Sequence, residues 1–144
     1  MAKDYRQSHL GVEKARSYDR KFSDNPYRAM MWRIERECLM KIVGQFPGGK
    51  CNSLLDFACG SGRVITVLSK YAHKSVGVDV SDDMLAIARD ACRHCDFRNV
   101  DITKSSFAVR QSFDLITAFR FFPNAQEELR QDAMSALVEL LDED

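Results

Sequence analysis

The chain has 144 residues, 45% hydrophobic and 29% charged, the balance of an ordinary soluble domain with enough length for one core. Its 21 basic and 21 acidic residues cancel, so no global field favours nucleic acid or an anionic membrane as partner. No run approaches a membrane span and Met1 to Gly11 lacks the apolar stretch of a secretory signal, so the expected setting is cytoplasmic.

Residues 1–24 are polar and mixed in charge, and are expected to form a mobile arm or to order over a ligand. Within them, Val12 to Tyr18 has the pattern of a short helix. Asn25-Pro26 is a helix start, with Pro26 at the first helical position. Tyr27, Met30, Met31, Ile34, Cys38, Ile42 and Phe46 then recur at helical spacing until Pro47-Gly48-Gly49. This predicts a helix packed by that face against a sheet.

Apolar residues next run into an acid at Ser53–Ala58, which predicts a buried parallel strand. Gly60 and Gly62 follow in a turn of small residues, and a helix begins with Val64, Ile65, Val67 and Leu68. Such a turn lets the backbone bend and a ligand approach, and the helix start presents N–H groups to a polar or anionic group. A dinucleotide fingerprint G-x-G-x-x-G is the competing reading, but Ile65 stands where its third glycine would fall.

Ser75–Asp79 is a second short strand ending in an acid, seventeen residues after Gly62. A right-handed crossover would set the two strand ends side by side, where the Asp79 carboxylate can accept from two ribose hydroxyls or simply cap a helix. Ser81 is an N-cap signal, with Asp82 and Asp83 in the first turn and Met84, Leu85, Ile87 and Ala88 behind them.

Cys92-Arg93-His94-Cys95 is a single C-x-x-C pair at a helix end. A structural zinc site normally draws on two such pairs, and a redox pair normally opens a helix. No metal is therefore expected, and the five cysteines, an odd set without a disulfide framework, suit a reduced compartment. Asp96–Asp101 is expected as a polar edge strand, Lys104–Ser112 as a loop, Phe113–Phe122 as a fourth strand with its exit, and Ala125–Leu141 as an amphipathic helix.

The run Leu54-Leu55-Asp56-Phe57-Ala58-Cys59-Gly60-Ser61-Gly62 resembles motif I of the class I S-adenosylmethionine (SAM)-dependent methyltransferases, with Ala58 in place of the family's first glycine. The resemblance extends over about residues 25–142. It implies an α/β fold, a Rossmann-like doubly wound, mostly parallel sheet, with residues 25–144 as the SAM-binding domain. It also implies the cofactor SAM and a small-molecule acceptor. The backbone of Ala58, Cys59, Gly60, Ser61 and Gly62 would hold the methionine portion, with Asp56 acting on its ammonium group indirectly. Asp79 would hold the ribose, with Val80 beside it. Met84 would lie against the adenine ring, and Asp101 and Ile102 would meet its amino group and a ring nitrogen. Ala118 would border the methyl group, where the segment also carries Phe119, Phe121 and Phe122 as pocket wall or core. Tyr18, Tyr27, Trp32 and Arg33 are candidates for lid or carboxylate contacts. The N/D-P-P-Y/F signature of base amino-methyltransferases is absent, since Thr117-Ala118-Phe119-Arg120 stands there.

Methyl transfer from an activated sulfonium mainly requires alignment and exclusion of water, so no dedicated catalytic residue is expected. Family members usually have seven strands in the order 3-2-1-4-5-7-6, and this chain stops where strand five would begin. One sheet edge and one sheet face are therefore expected to be open, which predicts a homodimer or a partner subunit that covers them. A non-catalytic subunit of the same fold, binding cofactor or a partner protein, is the second reading, and a nicotinamide-dependent oxidoreductase the third.

Overall fold

A computed structural model of the chain describes residues 24–105, 109 and 111–142. The expected arm, its Val12–Tyr18 helix and Tyr18 as a lid contact lie outside the described residues.

Helix α1 spans Pro26–Val43. Asn25 caps it by accepting from the N–H groups of Tyr27 and Arg28, at 3.0 and 3.2 Å. Strand β1 (Cys51–Phe57) leads into helix α2 (Arg63–Leu68), a 3-10 turn (Ser69–Tyr71) and strand β2 (Ala72–Asp79). Helix α3 (Asp82–Ala91) is capped by Ser81, whose hydroxyl accepts from Met84 N–H. Strand β3 (Asp96–Asn99), strand β4 (Leu115–Thr117) and helix α4 (Glu127–Leu140) complete the order.

The four strands form one parallel sheet in the order β3-β2-β1-β4. Central β1 is buried almost throughout, with Leu54 and Leu55 fully enclosed. Alternate residues serve opposite faces. Leu54 joins Leu39, Val43, Ile65, Leu85 and Phe97 in a core under α1, α2 and α3. Leu55 and Phe57 join Val76, Val78, Phe113, Phe121 and the buried side of α4 in a second core. Both faces of the sheet are thus covered, which corrects the expectation of a bare face.

Two further expectations change. The strand expected over Phe113–Phe122 pairs with β1 only at Leu115–Thr117. Its start is diverted because the Asp114 carboxylate turns to accept from the N–H groups of Asn52 and Ser53. Its exit bends at Arg120, which has a φ of 61°. In α1 the apolar row that starts at Tyr27 does not face the sheet. Tyr27, Met30, Ile34 and Ile42 are exposed, whereas Leu39 and Val43 are buried and Trp32, Met40 and Phe46 pack beside them. The chain after α4 returns to the sheet, where Leu141 makes a parallel bridge with Phe113. No described helix is long and apolar enough to cross a membrane.

Candidate functional site

In a parallel sheet the turns leaving the strand C-termini gather on one edge, and a cleft opens there. Here it is lined by the turn after β1 (Ala58 to Ser61), the end of β2 (Asp79, Val80), the start of α3 (Met84), the exit of β3 (Val100, Asp101, Thr103) and the segment after β4 (Phe119 to Phe121).

The turn after β1 is left-handed at three positions, Ala58 (φ 52°), Gly60 (φ 54°) and Gly62 (φ 80°). Gly60 faces open space, so backbone can be approached there. Gly62 serves a different purpose. A Cβ on it would stand 2.9 Å from Ala88 Cβ, so this glycine lets α2 sit against α3. It does not line the cleft, and neither do Ile102, buried in the core, or Ala118. The other nine residues expected at the cofactor do line it: Asp56, Ala58, Cys59, Gly60, Ser61, Asp79, Val80, Met84 and Asp101.

Three carboxylates meet this cleft in different states. Asp79 joins two loops: its Oδ2 accepts from Gly60 N–H at 2.8 Å and its Oδ1 from Ser81 N–H at 2.9 Å. Asp101 accepts from the hydroxyl and N–H of Thr103 and lies 3.7 Å from Lys104 Nζ. Asp56 is buried at 1% exposure, where its Oδ1 accepts from Thr117 Oγ1 at 2.7 Å and its Oδ2 from Ile65 N–H at 3.2 Å. Desolvation lifts its pKa from 3.8 to about 7, with those two hydrogen bonds pulling the other way. Burial likewise pushes the Cys59 thiol up, and the Asp56 and Asp79 charges add to it, which favours the protonated thiol.

Sequence reasoning missed two cations. Arg63 lines the cleft with its guanidinium 4.5 Å from the centre of the Trp32 ring, a cation–π contact that fastens α1 to the site. Arg120 lines it from the other side and pairs with Glu35 of α1 at 2.8 Å. The signal for Arg63 was its place at the first turn after Gly62. Nothing local marks Arg120, whose partner lies 85 residues away. Of the candidate contacts on α1, Tyr27 is exposed and only Trp32 reaches the site, through Arg63.

Residues 54–144 match the family model of the methyltransferase domain. The chain belongs to this family. A protein of Geobacillus sp. (strain WCH70), provisionally named as a methyltransferase, is 31% identical over 135 residues, 88% of this chain and 51% of that protein. The chain therefore spans about half the length of that relative. Among solved structures, the complex of DhpI with S-adenosylhomocysteine (SAH) superposes with a TM-score of 0.76 at 18% identity, over 91% of this chain and 60% of DhpI. SAM-bound CalS10, an amino pentose methyltransferase from Micromonospora echinaspora, gives 0.66 at 20% identity, over 82% of this chain and 52% of CalS10. At these identities the likeness establishes the fold of the methyltransferase domain, a Rossmann-like parallel α/β sheet.

Proposed function

We propose that this chain is the cofactor-binding domain of a SAM-dependent methyltransferase that acts on a small molecule. The observation that carries the reading is the convergence of Gly60, Asp79, Met84 and Asp101 from four separate segments on one cleft. The residues suit a cationic nucleoside. Asp79 offers a carboxylate to a ribose diol, and Asp101 offers one to an amino group. Met84, Val80 and Val100 supply an apolar bed for a purine, and Asp56 and Asp79 favour positive charge nearby. When bound, SAM supplies a methyl group already activated on a sulfonium. The protein then orients the acceptor and keeps water out, with Phe119, Phe121 and Arg120 as the acceptor-side wall. The SAH and SAM complexes of DhpI and CalS10 support the cofactor, and the amino pentose named for CalS10 supports a small acceptor.

Calorimetric titration with SAM and SAH, with NAD as control, tests this reading. Saturable binding of the SAM pair is expected. Asp79→Ala should weaken it by roughly 10- to 100-fold, the loss of a hydrogen-bonded charge. A folded chain that binds neither SAM nor SAH sinks the proposal. SAM binding without methyl transfer across an acceptor screen would favour the non-catalytic subunit.

A cytoplasmic setting belongs to the same reading: Cys38, Cys51 and Cys59 are free thiols, which favours it, whereas the Cys92–Cys95 disulfide departs from the reduced state expected of the cysteines. A second copy covering the outer edge of β4 and the exposed side of α4 belongs to it as well. That side carries Met134 and Val138 one turn apart, with Leu141 exposed just past the helix end.

A further inference from the structure

Away from the cleft, Cys92, His94 and Cys95 gather their ligand atoms within 4.8 Å of one another, in the turn between α3 and β3. As a sequence this was one pair and a neighbour, short of a metal site. The fold adds a fourth donor. Ser69 Oγ, from the 3-10 turn after α2, lies 3.1 Å from His94 Nε2 and 3.5 Å from Cys92 Sγ, and Cys92 Sγ lies 3.6 Å from His94 Nε2. Ligand bonds of about 2.0–2.3 Å at tetrahedral angles give ligand–ligand edges of roughly 3.3–3.8 Å. The three atoms are spaced close to the edges of a zinc tetrahedron, but Cys92 Sγ lies 3.8 Å from His94 Nδ1 as well as 3.6 Å from Nε2, so the exposed imidazole must turn to aim one nitrogen at a shared metal. Cys95 Sγ stands next to them, joined to Cys92 as a disulfide.

We infer that Cys92, His94 and Cys95, in the dithiol state, bind one Zn²⁺, with Ser69 Oγ facing its fourth position. The disulfide is the metal-free form of the same site. Two equivalents of a thiol such as glutathione convert one into the other. The thiols are oxidised to their own disulfide, and the Cys92–Cys95 bond takes up the two electrons and two protons. Zn²⁺ then forms two Zn–S bonds as the two thiol protons leave to solvent, and neutral His94 adds through a ring nitrogen, with no change of redox state. Bound metal would tie the C-terminal end of α3 to the turn after α2. Both helices begin at the cleft, but the site needs no part of the cleft, so it stands whether or not SAM binds.

The test is competition for Zn²⁺ against a chromophoric chelator, using the whole chain reduced with a phosphine and kept free of oxygen. One Zn²⁺ per chain is expected, abolished by oxidation to the disulfide and restored by reduction. Co²⁺ in its place should give thiolate-to-metal charge-transfer absorption. His94 is exposed and Cys95 half-buried, so His94→Ala and Cys95→Ser should fold, checked by circular dichroism. Each should weaken Zn²⁺ by about tenfold or more. Reduced, folded protein that leaves Zn²⁺ with the chelator overturns the inference. So does binding that both variants retain, which would place the metal on Cys38, Cys51 or Cys59.

Discussion

Asp56 carries the most informative titration in the molecule. Its pKa rises from 3.8 to about 7 because it is buried. Between those values the folded state holds a proton that the unfolded chain has lost. Stability from this group is therefore full at low pH and falls as pH rises to about 7. Asp56→Asn should flatten that slope in denaturant unfolding measured from about pH 5 to 8. Binding of a cationic ligand runs the other way, because it favours the ionised carboxylate. SAM affinity should rise with pH by up to about tenfold per unit and level off above about 7. An affinity flat across this range would mean that Asp56 does not sense the ligand's charge. Ala58 offers a second test at this scale. Its φ of 52° costs a side-chain-bearing residue about 1–2 kcal/mol, and glycine gives back about 0.5–1 through unfolded-chain entropy. Ala58→Gly should therefore stabilise the fold by about 0.5–1 kcal/mol, read as a higher melting temperature.

Helix against helix, the fold hangs on small residues. Gly62→Ala adds a Cβ 2.9 Å from Ala88 Cβ at a backbone φ of 80°. The expected loss is about 2–4 kcal/mol, part steric and part conformational. A double-mutant cycle with Ala88→Gly should recover the steric part alone, and simple additivity would show that the two helices do not meet there. This scale also shows what was legible in the sequence. Strand, turn and helix around Gly60 were readable because each signal is local: apolar run, glycine, cap. Asp79 was readable because the crossover brings adjacent parallel strands into line. The Phe113–Phe122 run misled, since apolar composition does not reveal that Asp114 bonds β1 or that Arg120 turns left-handed. The inward face of α1 misled for a related reason. Apolar residues lie on both sides of that helix, so period alone did not select Leu39 and Val43 over Ile34 and Ile42. Arg120 and Ser69 escaped notice because their partners are distant in the chain.

For the molecule as a whole, the proposed second copy would meet the chain at its last strand. β4 pairs with β1 over three residues, and Met134 and Val138 stand exposed at 51% and 63% on the adjoining helix. Light scattering should give a dimer at micromolar concentration, and Val138→Glu should shift it to monomer without changing SAM affinity. A monomer throughout would remove the second copy from the reading. Asp79, meanwhile, has a consequence for timing. By clasping Gly60 and Ser81 N–H at 2.8 and 2.9 Å, it fixes the two loops that floor the cleft as part of folding itself. That floor is therefore already assembled in this structure. In a stopped-flow experiment, binding to it should follow a single exponential whose rate climbs linearly with ligand concentration, with no plateau from a slow rearrangement.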